Sequence, residues 1–295
     1  MRIDNYSSGE LPFVPAPPLA LKPLLHGPSV EGRVLSHPTI LVFDSGVGGL
    51  TVFREVAKAR PDARFIYAAD DALFPYGALP EDKLVARVTA LMRGYIDRYS
   101  PDLIVIACNT ASTIVLPELR KTFAVPFVGT VPAIKPACAL SQTKRVSVLG
   151  TEATAKREYT QALIREFATG CKVNVVGSAL LAPYAERELK GDPVSDAELA
   201  EAIAPAFKDD GIARTDTLVL ACTHFPLLTE RMRRVAPWPV TYIDPAPAIA
   251  RRVVSLVGPQ KPSPRLDAFA EFTSGARPDL DSALATFNLK ASIHA

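Results

Sequence analysis

Short apolar runs alternate with amphipathic stretches along most of this chain, from residue 39 to about residue 290. Runs of Val, Ile and Leu bounded by turn residues are typical of strands buried on both faces of a parallel sheet. The stretches between them carry apolar residues at helical spacing. The predicted strands are residues 39–43, 64–68, 103–107, 126–128, 145–150, 172–176, 217–221 and 242–243. The predicted helices are residues 50–59, 84–99, 156–167, 197–207 and 249–257, together with one after residue 108.

This alternation predicts an α/β fold with mainly parallel sheets. It falls into two series, and a chain of 295 residues is long enough for two similar α/β domains. We assign residues 39–131 with 240–290 to the first domain and residues 132–239 to the second, with the active site in the cleft between them. Residues 1–38 form a proline-rich, poorly periodic extension. That extension is either a loose tail or an extended arm that packs on the body or on a partner.

Two of the predicted strands end in the same way. The runs 103–107 and 217–221 both finish in alanine and are followed by Cys108 and Cys222. Asn109 or Thr110 could cap a helix after the first cysteine, and a proline suits the helix start after the second. Because open α/β sheets bind ligands at the carboxyl ends of their strands, we expect the two thiols to face one ligand from opposite sides.

A free cysteine after an apolar run is usually a small buried hydrophobe, and either thiol alone would be interpreted in that way. The repetition favours a pair of acid–base groups instead, because a thiol titrates near about 8.5 and can give or take a proton near neutrality. His224 follows Cys222 by two residues and could exchange protons with it, although a lone histidine is more often structural. Cys138 and Cys171 lack such a setting and are interpreted as structural or surface residues.

A glycine-rich turn, Asp44-Ser-Gly-Val-Gly-Gly49, follows the first strand and precedes a helix. Such a turn lets backbone N–H groups approach an anion. Thr51 replaces the third glycine of a dinucleotide fingerprint, and no Gly-Lys-Ser/Thr follows, so neither nucleotide motif is present. The Asp44 carboxylate would repel a phosphate, but it suits binding of an ammonium group or assistance in proton transfer to and from a cysteine. A tight turn required by geometry alone is the alternative.

Composition and charge exclude several classes of protein. The chain is 48% hydrophobic and 22% charged, as in soluble globular proteins, and its net charge of +2 is no electrostatic footprint for nucleic acid or an anionic membrane. Four widely spaced cysteines make neither a disulfide framework nor a metal site. No apolar run is long enough to span a bilayer, and no secretion signal is recognisable, so a cytoplasmic location is expected.

Six motifs, in this order, resemble the glutamate racemases, which belong to the cofactor-independent aspartate/glutamate racemases. The resemblance runs from about residue 39 to about residue 290. The motifs are Phe43-Asp-Ser-Gly-Val-Gly-Gly-Leu-Thr-Val52, Asp70 with Pro75-Tyr-Gly77, Ala107-Cys-Asn-Thr-Ala-Ser112, Leu149-Gly-Thr151 with Thr154, Ala221-Cys-Thr-His-Phe-Pro-Leu-Leu228 and Ile243-Asp244. The chain departs from the common pattern at Asp71 and Leu73, where many members have Thr or Ser and Arg.

The resemblance implies racemisation of glutamate without pyridoxal phosphate or any other cofactor. Cys108 and Cys222 match the two bases, with Cys108 acting on D-glutamate and Cys222 on L-glutamate, and Asp44 and His224 match the groups that assist them. The residues in substrate-holding motifs are Ser45, Pro75, Tyr76, Gly77, Asn109, Thr110, Ser112, Thr151 and Thr223, and Asp70 and Glu186 match two supporting acidic positions.

The implied role is to supply D-glutamate for peptidoglycan, and hence for cell wall biogenesis and cell shape. The implied partner is glutamate, the expected assembly is a homodimer, and activation by a small molecule such as a peptidoglycan precursor stays open. Three alternatives remain. An aspartate or other amino-acid racemase of the superfamily would differ in substrate, a non-catalytic binding homologue would have lost a thiol, and a thiol hydrolase would leave the second thiol idle.

Overall fold

The structure is a computed structural model that describes residues 35–261, 267–275 and 277–291, so most of the predicted N-terminal extension lies outside the described residues. Its strands are β1 (Thr39–Asp44), β2 (Arg64–Ala69), β3 (Leu103–Ile106), β4 (Phe127–Gly129), β5 (Arg145–Gly150), β6 (Lys172–Gly177), β7 (Thr217–Ala221), β8 (Thr241–Ile243), β9 (Ala268–Phe272) and β10 (Lys290–Ala291). Its α-helices are α1 (Leu50–Ala59), α2 (Glu81–Tyr99), α3 (Asn109–Thr122), α4 (Ile134–Leu140), α5 (Glu152–Lys156), α6 (Glu158–Phe167), α7 (Leu181–Leu189), α8 (Asp196–Ile203), α9 (Thr229–Val235), α10 (Ala246–Val257) and α11 (Asp281–Thr286). Short 3-10 turns cover Asp71–Leu73, Tyr76–Ala78, Ala204–Ala206, Phe225–Leu228 and Pro278–Leu280.

The strands form two parallel sheets, which confirms the predicted α/β class. The first sheet has the order β10-β9-β2-β1-β3-β4, and the second has the order β6-β5-β7-β8. Their inner strands are buried along their length because helices cover both faces, as the continuous Val/Ile/Leu runs predicted. The strand that precedes Cys108 lies in the first sheet, and the strand that precedes Cys222 lies in the second.

The helical layers fix these strands and join the two halves. Helix α10 packs along α1 on one face of the first sheet, and α2 packs against α3 on the other. One cluster of buried side chains continues from α2 and α3 to strands β5 and β7 of the second sheet. The carboxyl ends of β3 and β7 are therefore held close to each other. Within the described residues, no helix is long and apolar enough to cross a membrane.

Strand β8 corrects one predicted boundary. The sequence assigned residues 240–290 to the first domain, but β8 pairs with β7 in the second sheet, with Thr217 opposite Thr241. The physical reason is that β7, α9 and β8 form a short strand–helix–strand unit, and consecutive strands of such a unit usually lie side by side in one sheet. The chain returns to the first half after β8, where α10 packs on α1 and β9 extends the first sheet.

Candidate active site

A small buried cavity lies between the carboxyl ends of β3 and β7, with a volume of about 30 Å³. Both cysteines that follow these strands line it. The predicted site residues in its wall are Ser45, Pro75, Tyr76, Cys108, Asn109, Thr110, Thr151, Cys222, Thr223 and His224. Phe74 and Ala182 complete the wall, and the sequence analysis did not select either of them. Their signals were present, since Phe74 precedes the Pro-Tyr-Gly motif and Ala182 lies four residues before Glu186.

Cys108 lies at the junction of β3 and α3 and caps that helix itself. Its backbone is extended, and its Sγ accepts a hydrogen bond from the N–H of Ala111 at 3.5 Å. The prediction that Asn109 or Thr110 would cap the helix was wrong, because the helix already begins at Asn109. The Cys108 Sγ also lies 3.7 Å from the Ser45 hydroxyl. Capping fixes the thiol in space, and the neighbouring hydroxyl offers it a hydrogen-bond partner.

Asp44 ends β1, and its buried carboxylate points into the glycine-rich turn. Its Oδ2 accepts the N–H of Gly49 at 2.6 Å, while Oδ1 is buried and has no partner among the described residues. The anion at this helix start is thus the side chain of the turn itself. Burial raises the pKa of Asp44, although the charge of His224 opposes the shift. Burial, and next the negative charge of Asp44, raise the pKa of Cys108 as well.

The glycines of this turn make room for side chains of the second half. A Cβ on Gly48 would lie 2.2 Å from Nδ1 of His224. A Cβ on Gly46 would lie 2.9 Å from Oε1 of Glu186 and 3.4 Å from Nε2 of His224. The distances of 2.2 and 2.9 Å are too short for real contacts, so the absence of side chains at Gly48 and Gly46 lets the imidazole and the carboxylate approach the turn. The motif therefore supports the close approach of the two halves of the molecule.

His224 connects Cys222 to Glu186. Its Nδ1 lies 3.9 Å from the Cys222 Sγ, and its Nε2 lies 3.0 Å from Oε1 of Glu186, which also accepts the N–H of Val47 at 3.3 Å. Burial lowers the pKa of His224, but the hydrogen bonds to Cys222 and Glu186 outweigh it and raise that pKa well above its usual value. Burial raises the pKa of Glu186, and its hydrogen bond to His224 reverses the shift and lowers it. The pair is therefore an imidazolium–carboxylate pair near neutral pH, and a proton is held beside Cys222.

Asn109 provides unpaired polar groups at the cavity. Both Nδ2 and Oδ1 of its side chain are buried and have no hydrogen-bond partner in the described part of the chain. Buried amides are nearly always hydrogen-bonded, so an unpaired pair of donor and acceptor atoms in a cavity wall points to a polar ligand. An amino acid offers complementary groups, because its carboxylates accept hydrogen bonds and its ammonium donates them.

Ser112 and Gly77 are predicted site residues that do not line the cavity. The Ser112 hydroxyl donates to the carbonyl of Ile106 at 2.9 Å and accepts the N–H of Thr130 at 2.9 Å. Both hydrogen bonds are within the first half, so this side chain ties α3 to the sheet. A Cβ on Gly77 would lie 3.5 Å from the Cβ of Ala153, across the cleft. The structure therefore places both residues behind the wall of the site.

Asp70 is a predicted acidic residue that anchors the loop after β2. Its carboxylate accepts hydrogen bonds from Arg87 at 2.6 and 3.0 Å, from Thr273 at 2.7 Å and from Tyr76 at 2.7 Å. Burial raises the pKa of Asp70, but these hydrogen bonds outweigh burial and lower it. The carboxylate is thus saturated, and it holds the Tyr76 ring in the cavity wall rather than meeting a ligand itself.

The two remaining cysteines, Cys138 and Cys171, do not line the cavity. Cys138 is buried in the core, and the half-buried Cys171 directs its thiol to the Cys138 carbonyl at 3.6 Å. Across the residues that the structure describes, no group of three or more His, Cys, Asp or Glu side chains could hold a metal ion.

Two parallel sheets, each bringing a thiol at the end of a strand to one cavity, suit acid–base chemistry on the two faces of one substrate. The chain belongs to the Asp/Glu/Hydantoin racemase family, whose family profile matches residues 49–253. Within that family it is similar to the glutamate racemases. That of Brucella anthropi is 54% identical over 223 residues, which cover 75% of this chain and 80% of the relative. The chain is therefore an isomerase of the glutamate racemase group.

Solved structures agree with this assignment. Escherichia coli glutamate racemase, in complex with L-glutamate and the activator UDP-MurNAc-Ala, superposes with a TM-score of 0.79 at 41% identity, covering 86% of this chain and 97% of that one. Glutamate racemase from Thermus thermophilus, in complex with β-chloro-D-alanine, has a TM-score of 0.68 at 31% identity, covering 89% and 98%. The similarity therefore extends over both sheets.

Proposed function

We propose that this protein interconverts L- and D-glutamate by a two-base mechanism in which Cys108 and Cys222 serve opposite faces of the α-carbon. The observation that supports this most strongly is that both thiols line one buried cavity, and that each follows a strand of a different sheet. Two fixed bases need no movement across the substrate between proton removal and proton delivery.

The two thiols balance the protons on the substrate. In the L-to-D direction the Cys222 thiolate removes the α-proton, and the Cys108 thiol gives its own proton to the opposite face of the carbanion. The reverse direction exchanges the two roles. The raised pKa of Cys108 keeps it protonated at rest, as a donor must be. Before the next turnover in the same direction, Cys222 must release the proton it removed and Cys108 must regain one, so solvent takes up one proton and returns one. His224, whose Nδ1 lies 3.9 Å from the Cys222 Sγ, is placed to pass a proton between Cys222 and solvent once it has released its own.

Polar groups around the thiols would hold the substrate and the charge that develops on it. Asn109 offers an unpaired amide, and hydroxyl side chains at Ser45, Thr110, Thr151 and Thr223 share the same wall. Donors fixed in a site that excludes water stabilise a developing negative charge far better than water does. This is the contribution that the weakly acidic α-proton requires.

The proposed chemistry uses no pyridoxal phosphate. That cofactor is held through a Schiff base to a lysine, and none of the described residues that line the cavity is a lysine. The proposal is tested by following the optical rotation of purified protein with L- or D-glutamate and no added cofactor. We expect both enantiomers to converge on a racemic mixture, with or without a metal chelator. A requirement for pyridoxal phosphate, or activity lost to the chelator, would contradict the proposal.

A panel of amino acids separates this function from the alternative racemases. Aspartate is one methylene shorter than glutamate, and a site built to pair both carboxylates discriminates against a ligand that leaves polar groups unpaired. We expect racemisation of glutamate and little turnover of aspartate. Preference for aspartate would assign the chain to that alternative activity.

The cellular role belongs to the same proposal. We infer that the protein supplies D-glutamate for peptidoglycan in the cytoplasm as a homodimer, and that a peptidoglycan precursor regulates it. The similar E. coli glutamate racemase is seen in complex with its activator UDP-MurNAc-Ala, which supports the proposal that such a precursor regulates this chain. Growth of a D-glutamate auxotroph carrying this chain would support the role. If UDP-MurNAc-Ala leaves the rate unchanged, the proposed regulation is wrong. If light scattering shows a monomer, the proposed homodimer is wrong.

A further inference from the structure

A second cleft lies directly outside the cavity that holds the thiols. It has a volume of about 250 Å³ and opens between α7 of the second half and the turns of the first half. Its wall from the second half is Pro183, Glu186 and Lys190, and its wall from the first half includes Phe74 and Arg277. We call this space the outer cleft. It is several times larger than the inner cavity.

The outer cleft and the inner cavity share a wall residue, Phe74. Phe74 lines both spaces, and its ring centroid lies 5.4 Å from that of the His224 imidazole. Glu186 lines the outer cleft and is hydrogen-bonded to His224, which lines the inner cavity. A movement of the Phe74 ring would therefore join the two spaces, whereas Glu186 is held by its ion pair.

A chain of ion pairs crosses the mouth of the outer cleft. Lys190 of α7 lies 3.4 Å from Asp279, which pairs with both Nε and Nη2 of Arg277 at 2.9 and 3.0 Å. Arg277 in turn binds Asp71 of the loop that carries Phe74, at 2.5 Å. Of the residues in this series of ion pairs, Lys190 belongs to the second half of the molecule and the others belong to the first. Lys190 and Asp279 are 40% and 45% exposed, and a contact so exposed is weak and breaks easily.

A second groove, lined by residues of α2 and α3 and by residues 153 and 156–159, is the competing route. It has a volume of about 400 Å³, includes Thr113 and Ala153 in its wall, and is crossed by the Arg157–Glu81 ion pair at 2.5 Å. Among the described residues, it has no wall residue in common with the inner cavity. The outer cleft has Phe74 in common with it, so the geometry favours the outer cleft.

We propose that the outer cleft is the route by which the amino acid reaches and leaves the two thiols, with Phe74 as its gate and the Lys190–Asp279 contact as its closure. The inner cavity of about 30 Å³ holds one or two water molecules, so an amino acid enters only when the gate moves and the halves separate. That the ligand passing through the cleft is an amino acid rests on the proposed function, whereas the route itself is a property of the fold. Phe74 is a positioning residue, because it also covers His224.

Alkylation of the full chain by iodoacetamide tests the route without any assay of activity. The labelling rates of Cys108 and Cys222 are followed by peptide mass spectrometry, and Cys171 in the same sample is the internal reference. We expect Phe74→Ala to accelerate labelling of both site thiols several-fold and Phe74→Leu to stay near wild type. Lys190→Gln should accelerate it about two- to fivefold, as expected for loss of an exposed ion pair. Added salt should accelerate the wild type but not Lys190→Gln.

Arg157→Gln is the control, because it breaks the ion pair across the competing groove. It should leave both labelling rates unchanged. Acceleration by Arg157→Gln with no effect of Lys190→Gln would overturn the proposal and assign the route to that groove. If Phe74→Ala does not fold, Lys190→Gln at the surface still decides the matter. A wild-type protein without racemase activity would defeat the proposed function, whereas unchanged labelling in an active racemase would defeat the route alone.

Discussion

Two glycines in the turn after β1 are required by the side chains that pack on them. The glycine-rich turn and the two Ala-Cys strand ends were both recognisable in the sequence, because each is a local pattern. It could not show that Gly48 lies against His224, since the two residues are far apart in the chain and meet only when the halves pack. The sequence left open whether the turn meets an anion or is required by geometry alone, and in the structure the Asp44 carboxylate itself accepts the backbone N–H of Gly49.

Gly48→Ala tests this close approach. The new Cβ would lie 2.2 Å from Nδ1 of His224, so the imidazole must move away from Cys222. We expect racemase activity to fall by about a hundredfold, as when a reacting group is misplaced by about 1 Å. Gly94→Ala in α2 is the control, because nothing lies within 4 Å of its added Cβ. The control should keep full activity and unfold at the same or a higher temperature. Equal activity in both variants would contradict the packing argument.

Asp44→Asn tests how the Cys108 thiol is tuned. Burial, and then the charge of Asp44, raise the pKa of Cys108, so in the direction that needs its thiolate the rate constant kcat/KM should rise as pH rises. Removing the charge lowers the pKa of Cys108, and the acidic limb for D-glutamate should move to lower pH. Asp97→Asn, on the exposed side of α2, should leave the profile in place. If the acidic side of the pH profile of kcat/KM for D-glutamate is unchanged in Asp44→Asn, or moves to higher pH, this account of the Cys108 pKa is wrong.

At the scale of elements, strand–helix junctions were predictable and one strand partner was not. The apolar runs of β3 and β7, and the helical spacing of α3, were sufficient to predict these elements from the sequence. Both cysteines lie at the strand ends where the pattern predicted them. Helix α7 was missed because Pro183 interrupts its pattern, although proline is tolerated in a first turn. This helix matters for the site, because it carries both Glu186 and Lys190.

Glu186→Gln tests the contact that α7 makes with the site. The stabilisation from the raised pKa of His224 is full below its usual pKa and is lost as pH rises through the raised value. The stabilisation from the lowered pKa of Glu186 is full above its usual pKa and is lost as pH falls through the lowered value. We therefore expect the variant to unfold with about 3 kcal/mol less free energy near neutral pH, since breaking a buried pair leaves a charge unpaired.

The measurement is urea unfolding of variant and wild type across the pH range. The difference should be largest near neutrality and should shrink below the lowered pKa of Glu186. Glu152→Gln is the control, because its ion pair with Lys156 is exposed on both sides and contributes little. A constant difference at all pH values would show that the Glu186 contact is not an ion pair.

At the scale of the whole molecule, the α/β class and the cleft between two sheets followed from the order of strands and helices. The sequence could not show which sheet takes a three-residue strand such as β8, because so short a run carries no partner information. It also could not show how tightly the halves close on the thiols. The cavity, with a volume of about 30 Å³, is too small for an amino acid, so the proposed function requires the cleft to open.

Two N-terminal deletions test where the folded body begins. Leu35 donates its N–H to the Val257 carbonyl at 3.1 Å, and its carbonyl accepts from the buried Arg60 guanidinium at 3.0 Å. Deleting residues 1–37 removes both hydrogen bonds and should reduce the free energy of unfolding by about 1 to 3 kcal/mol. Deleting residues 1–34 keeps both Leu35 hydrogen bonds, so racemase activity should be retained. Loss of activity in a folded 1–34 deletion would make the extension part of the site.

The central claim is that each thiol serves one face of the substrate, and solvent exchange tests it most directly. In D₂O, the Cys222→Ala variant should exchange the α-proton of D-glutamate slowly, and Cys108→Ala should favour exchange of L-glutamate, while both lose nearly all racemisation. Cys171→Ser, away from the cavity, should behave as wild type. Nuclear magnetic resonance follows the loss of the α-proton signal for each enantiomer. Equal exchange of both enantiomers by either single variant, or near-normal racemisation after loss of either thiol, would contradict the two-base mechanism.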